Sequence, residues 1–157
     1  LSRGFVLTVD YGGPGVDLFG DHRPHGTRRT FAKHAVGDDP FSDIGERDIT
    51  AHVDFTRLAL LGESRELKPL VYARQGTYFL SAGEAVLRAA VEETPEADRP
   101  KVARQVQQLI HPQAFGGAFQ VLIQGKNVGG ITLSGMKTNR LQRLDVPATQ
   151  SNILSSS

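Results

Sequence analysis

The stretch GFVLTVDYGG, residues 4–13, decides the fold class. Within it, Phe5–Asp10 is a short apolar run that ends in an acidic residue and is closed by glycines. Such a run predicts a buried parallel strand that is covered on both faces. Because open α/β sheets bind ligands at the carboxyl ends of their strands, we expect Asp10, Tyr11 and Gly12 at the ligand-binding edge of an α/β sheet.

The turn that follows this strand is GGPG, residues 12–15. It matches neither G-x-G-x-x-G nor G-x-x-x-x-G-K-[ST], and no helical pattern obviously follows it. A sharp turn whose glycines adopt positive φ is therefore favoured over a phosphate-binding loop.

Residues 12–50 are rich in Gly, Pro, Asp and His and show little periodicity, with one short strand expected in TRRTF. Long loops of this kind are often functional. We expect a packed loop that covers the site, and a disordered insertion is the alternative. The apolar residues available to anchor the loop to the core are Phe19, Phe31, Phe41 and Ile44.

Downstream of the loop, helices and strands alternate. Asp54 is placed to cap a helix, with Val53 and Leu58 as a hydrophobic staple. The remaining patterns predict a strand at Lys68–Ala73, a helical segment broken near Gly83, a second helix in EADRPKVARQVQQLIH and a strand in GAFQVLIQGK. We therefore expect a domain portion at residues 1–126 and a polar, flexible tail at residues 127–157.

Composition excludes several classes of protein. The chain has 157 residues and a formal charge of +1, without a strongly basic run, so nothing predicts binding to nucleic acid. No apolar stretch is long enough to span a membrane. The absence of cysteine excludes thiolate zinc sites and Cys–His catalysis and fits a reducing compartment.

The segment DHRPH and its surroundings offer a weak metal-binding pattern. It contains His22 and His25, and the nearby residues that could contribute are Asp17, Asp21 and His34. Two histidines alone leave a site short of ligands, so we expect a solvated loop and no metal.

The segment GERDITAHVDFTRL, residues 45–58, carries the strongest candidates for chemistry. Asp48, Thr50, His52 and Asp54 alternate with other residues, so they would share one face of an extended segment. Carboxylates beside His52 would raise its pKa, which suits a general base or the orientation of a cationic substrate. The alternative is that Asp54 only caps a helix and His52 only forms a loop hydrogen bond.

Four segments together resemble the C-terminal half of the MidA-like methyltransferases, which depend on S-adenosyl-L-methionine (SAM). They are GFVLTVDYG, GTRRTFAKHAVGDDPFSDIGERDITAHVDFTRL, QGTYFLSAG and FGGAFQVLIQGK, and they extend from Gly4 to Lys126. The most specific piece, DDPFSDIGERDITAHVDF, resembles the family signature D-P-L-x-x-P-G-x-x-D-[LI]-T-A-H-V-D-F. The chain departs from the family pattern at Ile44, usually proline, and at Gln120, usually lysine.

The resemblance implies the C-terminal part of a class I methyltransferase sheet, with a long loop insertion and a helical insert. Strand Phe5–Asp10 would be the fifth strand, and the other two strands would be an antiparallel closing pair. The implied activity is methyl transfer from SAM to a protein arginine. His52, Asp54 and Asp48 would then lie on the acceptor side, and Asp10, Tyr11 and Gly12 on the cofactor side.

The family's E-x-G-x-G-x-G loop and N-E-x-x-D-A segment do not occur in the chain. We therefore expect the chain to be part of something longer, inactive alone and prone to self-association. The resemblance implies bacterial cytosol or the mitochondrial matrix, with a link to respiratory-complex assembly. A non-catalytic protein-binding or assembly module is the alternative function.

Overall fold

The computed structural model describes residues 1–24, 26–32, 35–37, 39–41, 43–133, 135 and 140–144. Its strands are β1 (Gly4–Gly13), β2 (Arg29–Ala32), β3 (Ala35–Gly37), β4 (Asp48–Thr50), β5 (Val53–Asp54), β6 (Lys68–Arg74) and β7 (Phe119–Lys126). Its helices are α1 (Gly15–Leu18), α2 (Phe55–Glu63), α3 (Gln75–Glu92), α4 (Arg99–Ile110) and α5 (Phe115–Ala118), followed by a 3-10 helix at Leu141–Leu144. The fold is mixed α/β, as the sequence predicts.

The main sheet has four strands in the order β5-β1-β7-β6. Strand β7 is antiparallel to both β1 and β6, and β5 pairs in parallel with the end of β1. The closing strands β6 and β7 are therefore antiparallel to each other, as the resemblance implies. A second sheet, ordered β3-β2-β4, forms within residues 29–50, where the sequence predicts one strand.

The core lies on both faces of β6 and β7, because successive residues of a strand point to opposite faces. On one face Tyr72 and Leu122 pack with Phe55 and Ala59 of α2. On the other face a second cluster packs against Tyr78 of α3 and consists of Val71, Val121 and Ile123.

Strand β1 differs from the prediction of a parallel strand that is covered on both faces. Its long partner is the antiparallel β7, and its apolar side chains are exposed, with Leu7 60% accessible. Both clusters cover β6 and β7 instead. Among the described residues, β5 pairs only with Gly12 and Gly13, so the rest of this edge of β1 is open.

Helix boundaries follow local chemistry. The Asp54 carboxylate accepts a hydrogen bond from the backbone N–H of Arg57 at 3.0 Å, which confirms it as the cap of α2. Val53 and Leu58 both pack against the α2 core cluster, as expected for a hydrophobic staple. The kink in α3 is at Gly83, whose φ of −143° is not helical.

The irregular segments differ from the expectation in two places. The proposed loop anchors are solvent-exposed, with Phe19 70%, Phe31 40%, Phe41 79% and Ile44 81% accessible, whereas Leu18 is a buried apolar residue of this region. Part of the predicted flexible tail is packed: Leu144 is fully buried in the α2 cluster. Residues 145–157 lie outside the described residues.

Candidate functional site

The end of β1 and the segment His52–Asp54 meet at one place. In the parallel pair of β1 and β5, Gly12 lies opposite Val53 and Gly13 lies opposite Asp54. Backbone pairing thus brings together two groups of residues that are 41 positions apart in the sequence. This junction is the candidate functional site.

The glycines of the GGPG turn allow close backbone approach rather than positive φ. Gly12, Gly13 and Gly15 all lie outside the left-handed region. A Cβ on Gly12 would come within 2.1 Å of the Val53 carbonyl oxygen, so no other residue fits without displacing β5. The short helix α1 follows this turn directly, although no helical pattern marks it in the sequence.

Helix α1 is hydrogen-bonded to α2 beside the junction. The backbone N–H of Gly15 donates to the Thr56 hydroxyl oxygen at 3.0 Å. A Cβ on Gly15 would lie 3.3 Å from an Asp54 carboxylate oxygen, so the cap of α2 is close to the start of α1. The carboxylate of Asp54 therefore both caps α2 and borders the turn after β1.

Two cavities adjoin the junction and share Arg23 and His52. The first, called the strand-end cavity, has a volume of about 270 Å³, and its lining residues include Gly12, Asp17, His52, Arg74 and Arg140. The second has a volume of about 390 Å³, and its lining residues include His22, Arg23, Thr27, Arg29 and His52. Both fall near the lower end of the size range of ligand sites.

His52 is placed centrally, but its protonation differs from the prediction. Its backbone N–H donates to the Thr27 hydroxyl oxygen at 3.1 Å. Burial lowers the pKa of His52 below 6.5, and the positive charges of Arg23 and Arg29 lower it further. The expected rise in pKa beside carboxylates is therefore wrong, because burial and the nearby arginines both disfavour the protonated ring.

The other predicted site residues are only partly gathered. Asp48 is exposed on β4, in the second sheet, so it does not continue one extended face with His52 and Asp54. The carboxylate of Asp10 accepts from the backbone N–H of Tyr11 at 2.7 Å. The Tyr11 ring packs against Phe119, with centroids 4.0 Å apart. Neither Asp10 nor Tyr11 lines either cavity.

Sequence reasoning missed the arginines of the strand-end cavity. Arg74 ends β6, Arg140 directly precedes the 3-10 helix, and Arg143 lies within that helix. The Arg140 backbone N–H donates to the Tyr72 carbonyl oxygen at 2.7 Å, which fixes this helix to β6. A signal exists in NRLQRL, residues 139–144, where leucines and arginines each recur at a spacing of three.

The described residues contain no group of three or more His, Asp or Glu side chains able to hold a metal ion. Of the metal candidates, His22 bonds through Nε2 to the Asp17 carbonyl oxygen at 3.2 Å, and His25 and His34 lie outside the described residues. In the part of the chain that is described, no helix is long and apolar enough to cross a membrane.

Comparison with known proteins points to methyltransferases. Residues 1–73 match a family model described as "Putative S-adenosyl-L-methionine-dependent methyltransferase". The fold is similar to a Burkholderia thailandensis protein described as a "likely methyl transferase" and bound to S-adenosyl-homocysteine, with a TM-score of 0.79 and 27% identity over 90% of this chain. A native crystal structure of an uncharacterized protein of the same superfamily and organism also gives a TM-score of 0.79 and 27% identity over 90% of this chain.

These matches cover only part of the similar proteins. The chain spans 37% of the length of the first structure and 38% of the second. No match was found among the functionally curated proteins. The comparisons therefore support a methyltransferase-like fold for this chain.

Proposed function

We propose that the chain forms the acceptor-side part of a SAM-dependent methyltransferase of MidA-like type, which methylates arginine on a protein. The observation that carries this proposal is the junction of Gly12–Gly13 with Val53–Asp54. It brings a strand end, His52 and Asp54 together in a fold similar to a protein bound to S-adenosyl-homocysteine. Open α/β sheets bind their ligands at such strand ends.

Methyl transfer to a guanidinium needs mainly orientation and proximity, with little acid–base chemistry. Asp54 is fixed by its role as the cap of α2, so its carboxylate can orient a cationic acceptor without rearrangement. Since its lowered pKa keeps His52 neutral at pH 7, it can accept or donate one hydrogen bond to the acceptor. SAM would supply the methyl group.

The strand-end cavity itself does not fit SAM. The cofactor carries one carboxylate against an ammonium and a sulfonium, so it is a net cation. Four of the residues that line the cavity are arginines: Arg23, Arg74, Arg140 and Arg143. Like charges disfavour SAM in this cavity, so we assign the cofactor to the side of Asp10 and Tyr11, which lie outside it. We assign the cavity, which His52 lines, to a part of the acceptor other than its cationic guanidinium.

The experiment measures SAM affinity and protein methylation separately, in the whole protein that contains this chain. His52→Ala and Asp54→Asn should each lower methylation by about tenfold, the effect of losing one orienting hydrogen bond. SAM affinity should stay within about twofold. Asn keeps the helix cap, and His111→Ala, on an exposed histidine outside both cavities, is the matched control.

If SAM affinity falls as much as methylation in these variants, the acceptor-side assignment is wrong and the two residues support the fold. We extend the proposal to a bacterial cytosolic or mitochondrial matrix protein that acts on a subunit of a respiratory complex. Label transferred to such a subunit in a cell extract would support that setting, and label found only in unrelated proteins would contradict it.

The second candidate function is a non-catalytic protein-binding or assembly module. The observation that favours it is β1, whose apolar side chains are 37–60% accessible along an edge that is open among the described residues. Exposed strand edges and apolar patches are typical docking sites. Stable association, with another protein or with a second copy, without methyl incorporation would favour this module over the enzyme.

A further inference from the structure

Most of the charged side chains that line the strand-end cavity are positive. Arg23, Arg74, Arg140 and Arg143 line it, and Asp17 is the one carboxylate among the described residues that do so. These side chains come from separate parts of the chain, so the fold rather than one basic run creates the cluster. The net charge of +1 for the whole chain hides this local excess.

The single carboxylate is already engaged. An Asp17 oxygen lies 2.8 Å from Nη2 of Arg143, which neutralises that arginine. The guanidinium groups of Arg23, Arg74 and Arg140 form no ion pair with any described residue. Among the described residues, three positive groups therefore line the cavity without a local countercharge.

The arginines are close enough to affect one another. Burial lowers the pKa of Arg140, and the guanidinium groups of Arg143 and Arg74 lower it further. The same three arginines act on the buried Tyr72 hydroxyl at the cavity wall. Gathering like charges costs free energy, and an anion bound among them offsets that cost through charge-assisted hydrogen bonds.

The positive charge of the cavity wall also discriminates among the groups that methyl transfer would bring to the strand-end cavity. SAM is a net cation, and an isolated acceptor arginine is a cation as well, so neither balances the wall. A carboxylate or phosphate balances it, and guanidinium groups bind both with paired hydrogen bonds.

We propose that the strand-end cavity is an anion-binding site, which holds a carboxylate or phosphate group of the methyl acceptor next to His52. The assignment of the anion to the acceptor rests on the proposed function, whereas the anion site itself does not. An acceptor would then carry an acidic residue or a phosphorylated residue near the position that is methylated.

Titration of the chain with inorganic phosphate tests the site, with binding followed by calorimetry at low ionic strength. Arg74→Gln should weaken phosphate binding by about tenfold, the effect of losing one charge-assisted hydrogen bond. Arg104→Gln is the matched control because it removes the same charge from an exposed position on α4. Equal weakening in both variants would show general charge attraction and overturn the proposal.

Asp17→Asn gives a test of opposite sign. Loss of this carboxylate frees Arg143 and removes the repulsive charge from the cavity, so phosphate should bind more tightly, by several-fold. Unchanged or weaker binding in a folded Asp17→Asn variant would contradict the proposal. A gain of affinity cannot arise from misfolding, so this variant separates site effects from structural damage.

The anion site and the methyltransferase proposal fail in different ways. Absence of specific phosphate binding, with normal transfer of methyl groups to protein by the whole enzyme, would overturn only the anion site. Specific phosphate binding without methyl transfer would support the site and reject its link to an acceptor. Methylation of a peptide with an acidic residue near its arginine, but not of the matched neutral peptide, would support both.

Discussion

A Cβ on Gly12 would lie 2.1 Å from the carbonyl oxygen of Val53. This close approach sets the distance between the end of β1 and the segment that carries His52 and Asp54. The candidate site therefore requires glycine, which has no side chain, at position 12. Loss of that spacing would move β5 and, with it, the start of α2.

Gly12→Ala should therefore lower the free energy of unfolding by about 1–3 kcal/mol, the usual cost of overpacking. Gly129→Ala is the control, because a Cβ there meets nothing within 4 Å and the change should stay within about 0.5 kcal/mol. Urea unfolding of both variants measures the difference. Equal stability of the two variants would contradict the close approach at Gly12.

Gly62 in α2 offers a second test of packing. It is buried, and a Cβ there would overlap the side-chain amide of Gln124, with the nearest atom at 1.8 Å. That amide donates to the carbonyl oxygens of Ala59 and Leu67 at 3.3 and 3.2 Å. Although alanine favours a helix by about 1 kcal/mol over glycine, displacing a buried amide costs about 1–3 kcal/mol.

Gly62→Ala should thus be destabilising, and much less so when combined with Gln124→Ala, since the new methyl group then enters vacated space. Urea unfolding of the two single variants and the double variant completes the cycle. Simple addition of the two single effects would show that Gly62 and Gln124 are not coupled.

The depressed pKa of His52 predicts a pH dependence. Burial and the charges of Arg23 and Arg29 disfavour the protonated form in the folded chain. As pH falls below 6.5, the unfolded chain takes up this proton first, so the contribution of His52 lowers stability progressively until pH passes the folded pKa. Above 6.5 the contribution of His52 is constant.

NMR titration of the His52 ring measures this directly. The midpoint should lie below 6.5, and it should rise with added salt because the arginine charges are screened. Arg23→Gln should raise it as well, whereas Arg104→Gln, which removes a charge outside both cavities, should leave it unchanged. A midpoint above 6.5 would contradict this prediction and would show that nearby carboxylates outweigh burial and the arginine charges.

Tyr72 predicts a change at alkaline pH. Burial raises the pKa of Tyr72 to about 12, and the charges of Arg140 and Arg143 partly oppose this rise. The folded chain holds the phenol proton after the unfolded chain has released it near pH 10, so stability should fall as pH rises from about 10 to 12. Phenolate absorbance should show one of the three tyrosines ionising late, whereas joint ionisation near pH 10 would be the contrary result.

The sequence predicts those parts of the fold whose pattern is local. The strand predicted at Lys68–Ala73 is found at Lys68–Arg74, and Asp54 caps α2 as predicted, because an apolar run and a capping carboxylate act over a few residues. The accessibility of β1 could not be predicted, since a run of apolar residues does not reveal which neighbours cover it. The pairing of Gly12 with Val53 is equally a property of the assembled sheet.

The sequence predicts only part of the candidate site. His52 and Asp54 stand out in a distinctive motif, but the pKa of His52 depends on its burial and on Arg23 and Arg29, which are distant in sequence. The arginines of the strand-end cavity could not be predicted, because they do not form a basic run in the sequence. Arg143 reaches Asp17 across 126 positions, a contact that only the folded chain creates.

We propose that this chain is the acceptor side of a protein arginine methyltransferase. The most direct measurement is incorporation of labelled methyl groups from SAM into protein by the whole protein, followed by hydrolysis and separation of the amino acids. We predict labelled methylarginine with the unaltered protein and about tenfold less with His52→Ala. SAM binding without any label in arginine would contradict it.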